Sequence, residues 1–291
     1  MEFLAQLPQN LVSGLLLGGM YALIGAGLAL VFGVMDIVNM AHGAFIMVGM
    51  YTTFVLCTRL RLDPYLGLLV TAPLLFGVGM LLHRLLIERV AHASHMNQIL
   101  LTLGLSVALV NLVQLIFTAN YQQIRTSYSD AVIRLGSITM NVPYVISFAL
   151  ATGITLGLYY WLMHSEFGRA LRATAQDPMA AQLMGVNVRR VQSVAFGLGM
   201  ALAGAAGALL TPVYYLYPTV GANFGLKSFT MVVLGGMGSV VGAALGGVTL
   251  ALAESVGQML VGHELKDAIG FVVFLLVLLF KPAGLFGGQR A

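Results

Sequence analysis

The stretch "LVSGLLLGGMYALIGAGLALVFGVM", residues 11–35, runs without one Asp, Glu, Lys or Arg. A bilayer core about 30 Å thick needs about 20 consecutive apolar residues per helix, so this stretch is long enough to cross. Seven further stretches qualify approximately: 37–57, 65–82, 98–118, 143–163, 191–216, 228–254 and 267–280, the last of them short. Of the 291 residues 59% are hydrophobic and 8% charged, and mean hydropathy is +0.94. So few charges cannot coat a globule in water. The expected fold is an all-α polytopic integral membrane protein with about eight transmembrane segments, residues 1–291 forming one transmembrane domain.

Thirty-five glycines would weaken soluble helices, but in lipid small residues let helix backbones approach closely. "GLGMALAGAAGALL", from Gly197, carries small residues at such spacing and predicts a tightly packed bundle. No Lys or Arg precedes Arg59, so the start lacks the basic region of a cleaved signal peptide and the first segment is expected to stay. A single cysteine, Cys57, excludes an intrachain disulfide and a cysteine-rich metal cluster. The net charge of +4 is modest. Its basic residues lie between segments, which reads as membrane orientation and not nucleic-acid binding.

The positive-inside rule places "HRLLIERVAHASH" (83–95) and the stretch around Arg169–Arg190 in the cytoplasm. Two segments and the loop 119–142 separate them, so that loop should face outside. Eight full spans would put both termini outside, which does not suit Lys281 and Arg290. A glycine-interrupted segment that is broken or re-entrant would change the parity. "VFGVMDIVNMAHGAF" (31–45) and "VLGGMGSVVGAAL" (233–245) echo each other as apolar run, Gly, Met, polar kink and Gly-Ala. Paired interruptions of this kind point to a transporter's midplane pathway; the other reading is chance recurrence of Gly-Ala pairs.

No energy source is visible in the chain. Charges inside spans mark proton relays or ion sites, yet the segment interiors lack them; Glu254 closes one segment, and His42 is the other titratable candidate. "GANFGLKSF" (221–229) mimics a phosphate loop, but Leu226 separates Gly225 from Lys227, which the motif forbids. There is no Gly-x-Ser-x-Gly elbow and no His-Glu-x-x-His helix. His92 and His95, with His83, could hold a metal, although loop histidines are far more often solvated, and no metal site is expected.

An engine on another chain needs a docking surface. Arg169, Arg172, Arg189 and Arg190 gather in "HSEFGRALRATAQDPMAAQLMGVNVRRV" (164–191). Asp177 followed by Pro178 predicts a helix start and Gly185 a stop. Between them "PMAAQLM" is a helix of about two turns with Met179 over Leu183 and Ala180 over Met184. Such a helix could lie on the membrane with its arginines on headgroups, or fill a groove on a partner.

"NMAHGAFIMVGMY" (39–51), "GRALRATAQDPMAAQLMGVNVRRV" (168–191) and "GLKSFTMVVLGGMGSVVGAALGG" (225–247) resemble the LivH-type permeases of branched-chain amino acid ABC importers, over nearly the whole chain. The resemblance implies a permease subunit in a bacterial inner membrane, not an enzyme. Its implied partners are a second homologous permease, two ATPases, a periplasmic binding protein and membrane lipid, with no nucleic acid. It implies no cofactor on this chain, ATP and Mg being held by the ATPases. The middle motif then assigns ATPase coupling to Arg172, Ala175, Gln176, Asp177, Met179, Ala180, Leu183, Met184, Gly185 and Asn187. The two kinks, Asn39 and His42 in one and Gly235, Gly236, Gly238 and Ser239 in the other, are expected to border the translocation path. Alternatively Asn39 and His42 cap an ordinary loop and the glycines merely pack. Cargo is expected to be a branched-chain amino acid, or in the same class urea, an amide or an aromatic acid. The rival from another class is a sodium-coupled carrier whose broken helices hold Na⁺ on carbonyls.

Overall fold

A computed structural model describes residues 2–91, 93–136 and 138–286. In lipid a backbone must satisfy its own hydrogen bonds, so the apolar segments become helices. Helix α1 (Glu2–Met35) is followed by α2 (His42–Leu60) and α3 (Pro64–Leu82). Asp63 starts α3 by accepting from the Tyr65 amide at 2.9 Å, with Pro64 in the first turn. The chain continues through a π-helical turn, His83–Ile87, into the three-residue α4 (Glu88–Val90). Next come α5 (His95–Phe117), strands β1 (Val132–Leu135) and β2 (Ile138–Asn141), and α6 (Val142–His164). A polar interlude holds α7 (Glu166–Gln176) and α8 (Pro178–Leu183). The last helices are α9 (Val188–Leu210), α10 (Val220–Gly235), α11 (Val240–Val261) and α12 (Lys266–Phe280).

Among the described residues seven helices are long and apolar enough to cross a membrane, and α10 is a shorter apolar helix. The all-α expectation describes the bundle but omits one feature. Strands β1 and β2 pair antiparallel from Val132↔Asn141 to Leu135↔Ile138. This hairpin lies in the loop 119–142, outside the helices, where backbone groups need partners of their own.

Side-chain bonds identify the two ends of the bundle. Gln9 donates to the Thr139 carbonyl and accepts from the Thr139 amide, both at 2.8 Å, so the start of α1 lies beside the hairpin. Tyr128 donates to Asp63 Oδ2 at 2.5 Å, tying the same loop to the α2–α3 corner; partial burial and this carboxylate push the phenol's pKa up. At the opposite end Arg189 Nε lies 3.3 Å from Glu88 Oε1. The two basic stretches that the positive-inside rule assigned to one side are therefore in contact.

One segment boundary is corrected. The stretch 228–254 is not one span: Gly236 (φ +103°) and Gly238 (φ +86°) turn the chain, ending α10 at Gly235 and starting α11 at Val240. Only glycine adopts such angles without strain. The reversal makes α10 a short apolar helix separate from α11. Beyond α12 the Leu285 amide donates to the Leu234 carbonyl at 2.7 Å, so the chain there lies at the end opposite to the start of α1. Lys281 thus falls at the arginine-rich end, as its charge asks; Arg290 lies outside the described residues.

Helices α1 and α9 are enclosed by the bundle, whereas α3, α5 and α6 expose most of their surface. Between helices in lipid close contact replaces the hydrophobic effect as the source of cohesion. A Cβ placed on Gly25 of α1 would lie 2.8 Å from the Ala243 carbonyl of α11, and one on Gly49 of α2 2.7 Å from Gly204 Cα of α9. The small-residue run from Gly197 is where α9 touches α1, α2 and α3.

Candidate functional site

The arginine-rich end is organised around the corner between α6 and α7. Ser165 caps α7 by accepting from the Gly168 amide at 2.9 Å. Arg172 turns back and donates from Nη1 to the Leu162 carbonyl of α6. Here a cation meets a carbonyl left unpaired at a helix C-terminus. Gly168 fits against the same residue, where any Cβ would collide with the Leu162 carbonyl. The buried face of α7 carries Gly168, Leu171 and Thr174.

From this corner α8 is held at both ends. Asp177 Oδ1 accepts from the amides of Met179 at 2.8 Å and Ala180 at 3.0 Å. At the other end the Val186 amide donates to Ala181 and the Gly185 amide to Gln182, each at 3.0 Å, with Gly185 at φ +87°. This is the glycine-closed helix end expected from the sequence. Asn187 then caps α9 by accepting from the Arg190 amide at 3.0 Å. Only Ala181 of α8 is buried. Met179, Leu183 and Met184 are 76%, 84% and 85% exposed, an unusual state for three large apolar side chains on one turn-and-a-half of helix.

The coupling residues expected from the sequence fall into two groups. Ala175, Gln176, Asp177, Met179, Ala180, Leu183, Met184, Gly185 and Asn187 form one exposed strip, whereas Arg172 is half-buried and props the corner beneath it. Three of the four arginines have separate partners: Arg169 lies 3.7 Å from Glu166 on its own helix, Arg189 reaches Glu88, and Arg172 the Leu162 carbonyl.

The residues expected on a path divide as well. Gly238 and Ser239 line a cavity of about 230 Å³ with Gly33, Arg172 and Ala175, so the α10–α11 turn abuts the α7 corner. Ser239 caps α11 by accepting from the Gly242 amide at 2.9 Å. Gly235 packs against Gly242, and Gly236 against Gly284. Asn39 and His42 face elsewhere and are fully buried. Asn39 Oδ1 accepts from the Ala41 amide at 3.1 Å and its amide faces Met200 Sδ at 3.9 Å; a His42 ring nitrogen lies 3.2 Å from the Ile24 carbonyl. The echo between 31–45 and 233–245 therefore falls on two helix–turn–helix breaks, with Gly33 of one against Gly238 of the other. Of the histidines considered for a metal, His83 is buried 5.9 Å from the Phe196 ring and His95 is exposed; His92 lies outside the described residues. Among the described residues no group of three or more His, Cys, Asp or Glu is placed to hold a metal.

Residues 10–278 match the family described as "Branched-chain amino acid transport system / permease component". The chain belongs to this family. It is 33% identical to the high-affinity branched-chain amino acid transport system permease protein BraD of Pseudomonas aeruginosa, covering 96% of this chain and 95% of that protein. It is 31% identical to the corresponding permease protein LivH of Escherichia coli K12, again over 96% and 95% of the two chains. A weaker match, 26% over 57% of this chain and 37% of that protein, reaches the E. coli permease protein LivM. No solved structure matches the chain.

In this permease the third motif holds a feature the sequence reading missed. Lys227, set aside there as part of a failed phosphate loop, is buried and reaches Glu254 Oε2 at 2.9 Å, Asp267 Oδ1 at 2.8 Å and the Tyr21 hydroxyl at 2.8 Å. The segment drawn from the sequence begins at Ser228, one residue past Lys227, and Asp267 opens the last segment, so neither charge stood out within a span. The available signal was a lysine within an apolar run, which demands a partner.

Proposed function

We propose that this chain is the transmembrane permease subunit of an ABC importer for branched-chain amino acids in a bacterial inner membrane. In this reading its arginine-rich end faces the cytoplasm, and α8 is the lever on which separate ATPase subunits act. One observation carries the docking role: Met179, Leu183 and Met184 are held out from a helix fixed at both ends. Two turns of helix bury too little area to bind a membrane surface stably, whereas they suit an apolar groove on a partner. ATP and Mg belong to those partners in this reading, and this chain carries no cofactor of its own. The weaker likeness to LivM supports pairing with a second permease of the same family, and the substrate would come from a periplasmic binding protein.

The lever can act on the membrane interior because its corner adjoins the α10–α11 turn through the cavity that Arg172, Ala175, Gly238 and Ser239 share. We propose that this turn, Gly235, Gly236, Gly238 and Ser239, and the break holding Asn39 and His42 border the path. A ligand switches states only by binding them unequally, and ATP closure pulling α8 would supply that difference.

The deciding experiment is extraction of the tagged chain in mild detergent, with every co-purifying subunit identified by mass spectrometry. Two ATPases and a second permease are expected. Recovery of the chain alone, with transport intact after reconstitution, would overturn the reading in favour of a sodium-coupled carrier.

A further inference from the structure

The hairpin end of the bundle contains a cavity of about 410 Å³ between α1, α6, α11 and the start of α12. That volume falls in the range of about 300–1,000 Å³ usual for small-molecule sites. Strand β2 roofs it through the paired bonds of Gln9 with Thr139. Its wall combines three chemistries: the carboxylate of Glu254, the ammonium of Lys266, and an apolar surface of Leu16, Leu17, Tyr144 and Tyr214.

Glu254 is buried at 2% exposure. Both of its hydrogen bonds, from Lys227 at 2.9 Å and Tyr21 at 3.1 Å, arrive at Oε2. Oε1 takes neither of them, and a carboxylate oxygen in such a place retains full capacity to accept. Lys227 is shared with Asp267, so one cation serves two carboxylates and the buried group keeps an excess of negative charge. A second ammonium is the group that completes it. Lys266, on the same cavity wall, offers the opposite charge. An amine alone or a carboxylate alone would satisfy one wall and leave the other unmatched.

We propose that this cavity binds a free α-amino acid with an apolar side chain, its ammonium on Glu254 Oε1, its carboxylate on Lys266 and its side chain against Leu16, Leu17 and Tyr144. The proposal rests on the permease reading and adds a site to it: the first place in the membrane domain to receive a substrate handed over at this end. The Lys227 cluster is then a fixed support that holds Glu254 oriented in a low-dielectric wall.

The test uses the complete assembly, with Cys57→Ala to remove the native thiol and Ser13→Cys to put one on the cavity wall. A membrane-impermeant alkylating reagent is applied from the hairpin side, with leucine uptake measured on the same preparation. Leucine at about ten times its dissociation constant should slow alkylation about tenfold, by simple occupancy. Neither 4-methylpentanoate, which lacks the ammonium, nor 3-methylbutylamine, which lacks the carboxylate, should protect. Lys266→Gln should abolish protection. If the Ser13→Cys chain does not assemble, Met140→Cys, also on the cavity wall, serves in its place. Unchanged alkylation in a preparation that takes up leucine would overturn the site and leave the permease reading standing. Equal protection by the amine or the acid alone would overturn the zwitterion assignment. Absence of branched-chain uptake by the assembled complex would overturn the permease reading and the site with it.

Discussion

Lys227 places its ammonium 2.9 Å from Glu254 Oε2, joining α10 to α11 inside an apolar bundle, and a further bond of 2.8 Å to Asp267 brings in α12. Breaking a buried ion pair from one side costs about 3–5 kcal/mol, because the remaining charge is stranded, whereas replacing both partners by apolar residues costs far less. Lys227→Met should therefore destabilise the purified protein by about that amount, and Lys227→Met with Glu254→Leu should recover most of the loss. Thermal unfolding in detergent measures both. Equal melting temperatures for wild type and Lys227→Met would show that the pair contributes nothing.

A second expectation concerns the exposed strip. Leu183 and Met184 touch solvent over most of their surface, so replacing both by Asp should change stability by no more than about 0.5 kcal/mol, as for other surface sites. The same change forces charge into an apolar groove and should uncouple ATP hydrolysis from uptake in the assembled complex. Membrane insertion, thermal stability, ATPase rate and uptake are to be measured together. Normal uptake by this variant would remove the docking role from α8.

Much of this arrangement was legible in the residues, for reasons that are local. Asp177, Pro178 and Gly185 each act on their own backbone, so cap, first turn and stop could be read before any packing was known. The break at Gly236–Ser239 was recognised as an interruption but not as a full reversal, because "GGMGS" contains no charge to mark an aqueous end. The hairpin could have been read from the alternation in "VIRL" and "ITMN" around Gly136. Lys227 and Glu254 are 27 residues apart, and only the α10–α11 reversal brings them together. The same holds for Arg172, whose basic charge suggested a partner's surface, although its bond goes back to Leu162.

Glycines of the bundle should separate into two kinds. A Cβ on Gly168 collides with the Leu162 carbonyl, while one on Gly153 of α6 meets nothing within 4 Å. Gly168→Ala should cost about 1–3 kcal/mol as an overpacked contact and shift α7 with α8. Gly153→Ala should be neutral or stabilise by up to about 1 kcal/mol through helix propensity. Melting temperature and uptake for the pair decide the matter. Similar losses in both would mean that the close approach of α6 and α7 is not a structural requirement.

The cap on α8 offers the finest separation of folding from coupling. Asp177 satisfies two amides of a six-residue helix, and a helix that short does not persist without support at its ends. Asp177→Ala removes a cap worth about 1 kcal/mol, small against the stability of the bundle but large for α8 itself. Global melting should hardly move, yet proteolysis at 178–184 should speed up and substrate-stimulated ATP hydrolysis should fall. Asp177→Asn keeps an accepting oxygen at the same place and should restore both. Failure of Asn to rescue would mean that the carboxylate charge touches the partner directly, so the order of activity among Asp, Asn and Ala at this one position tells whether Asp177 serves the helix or the ATPase.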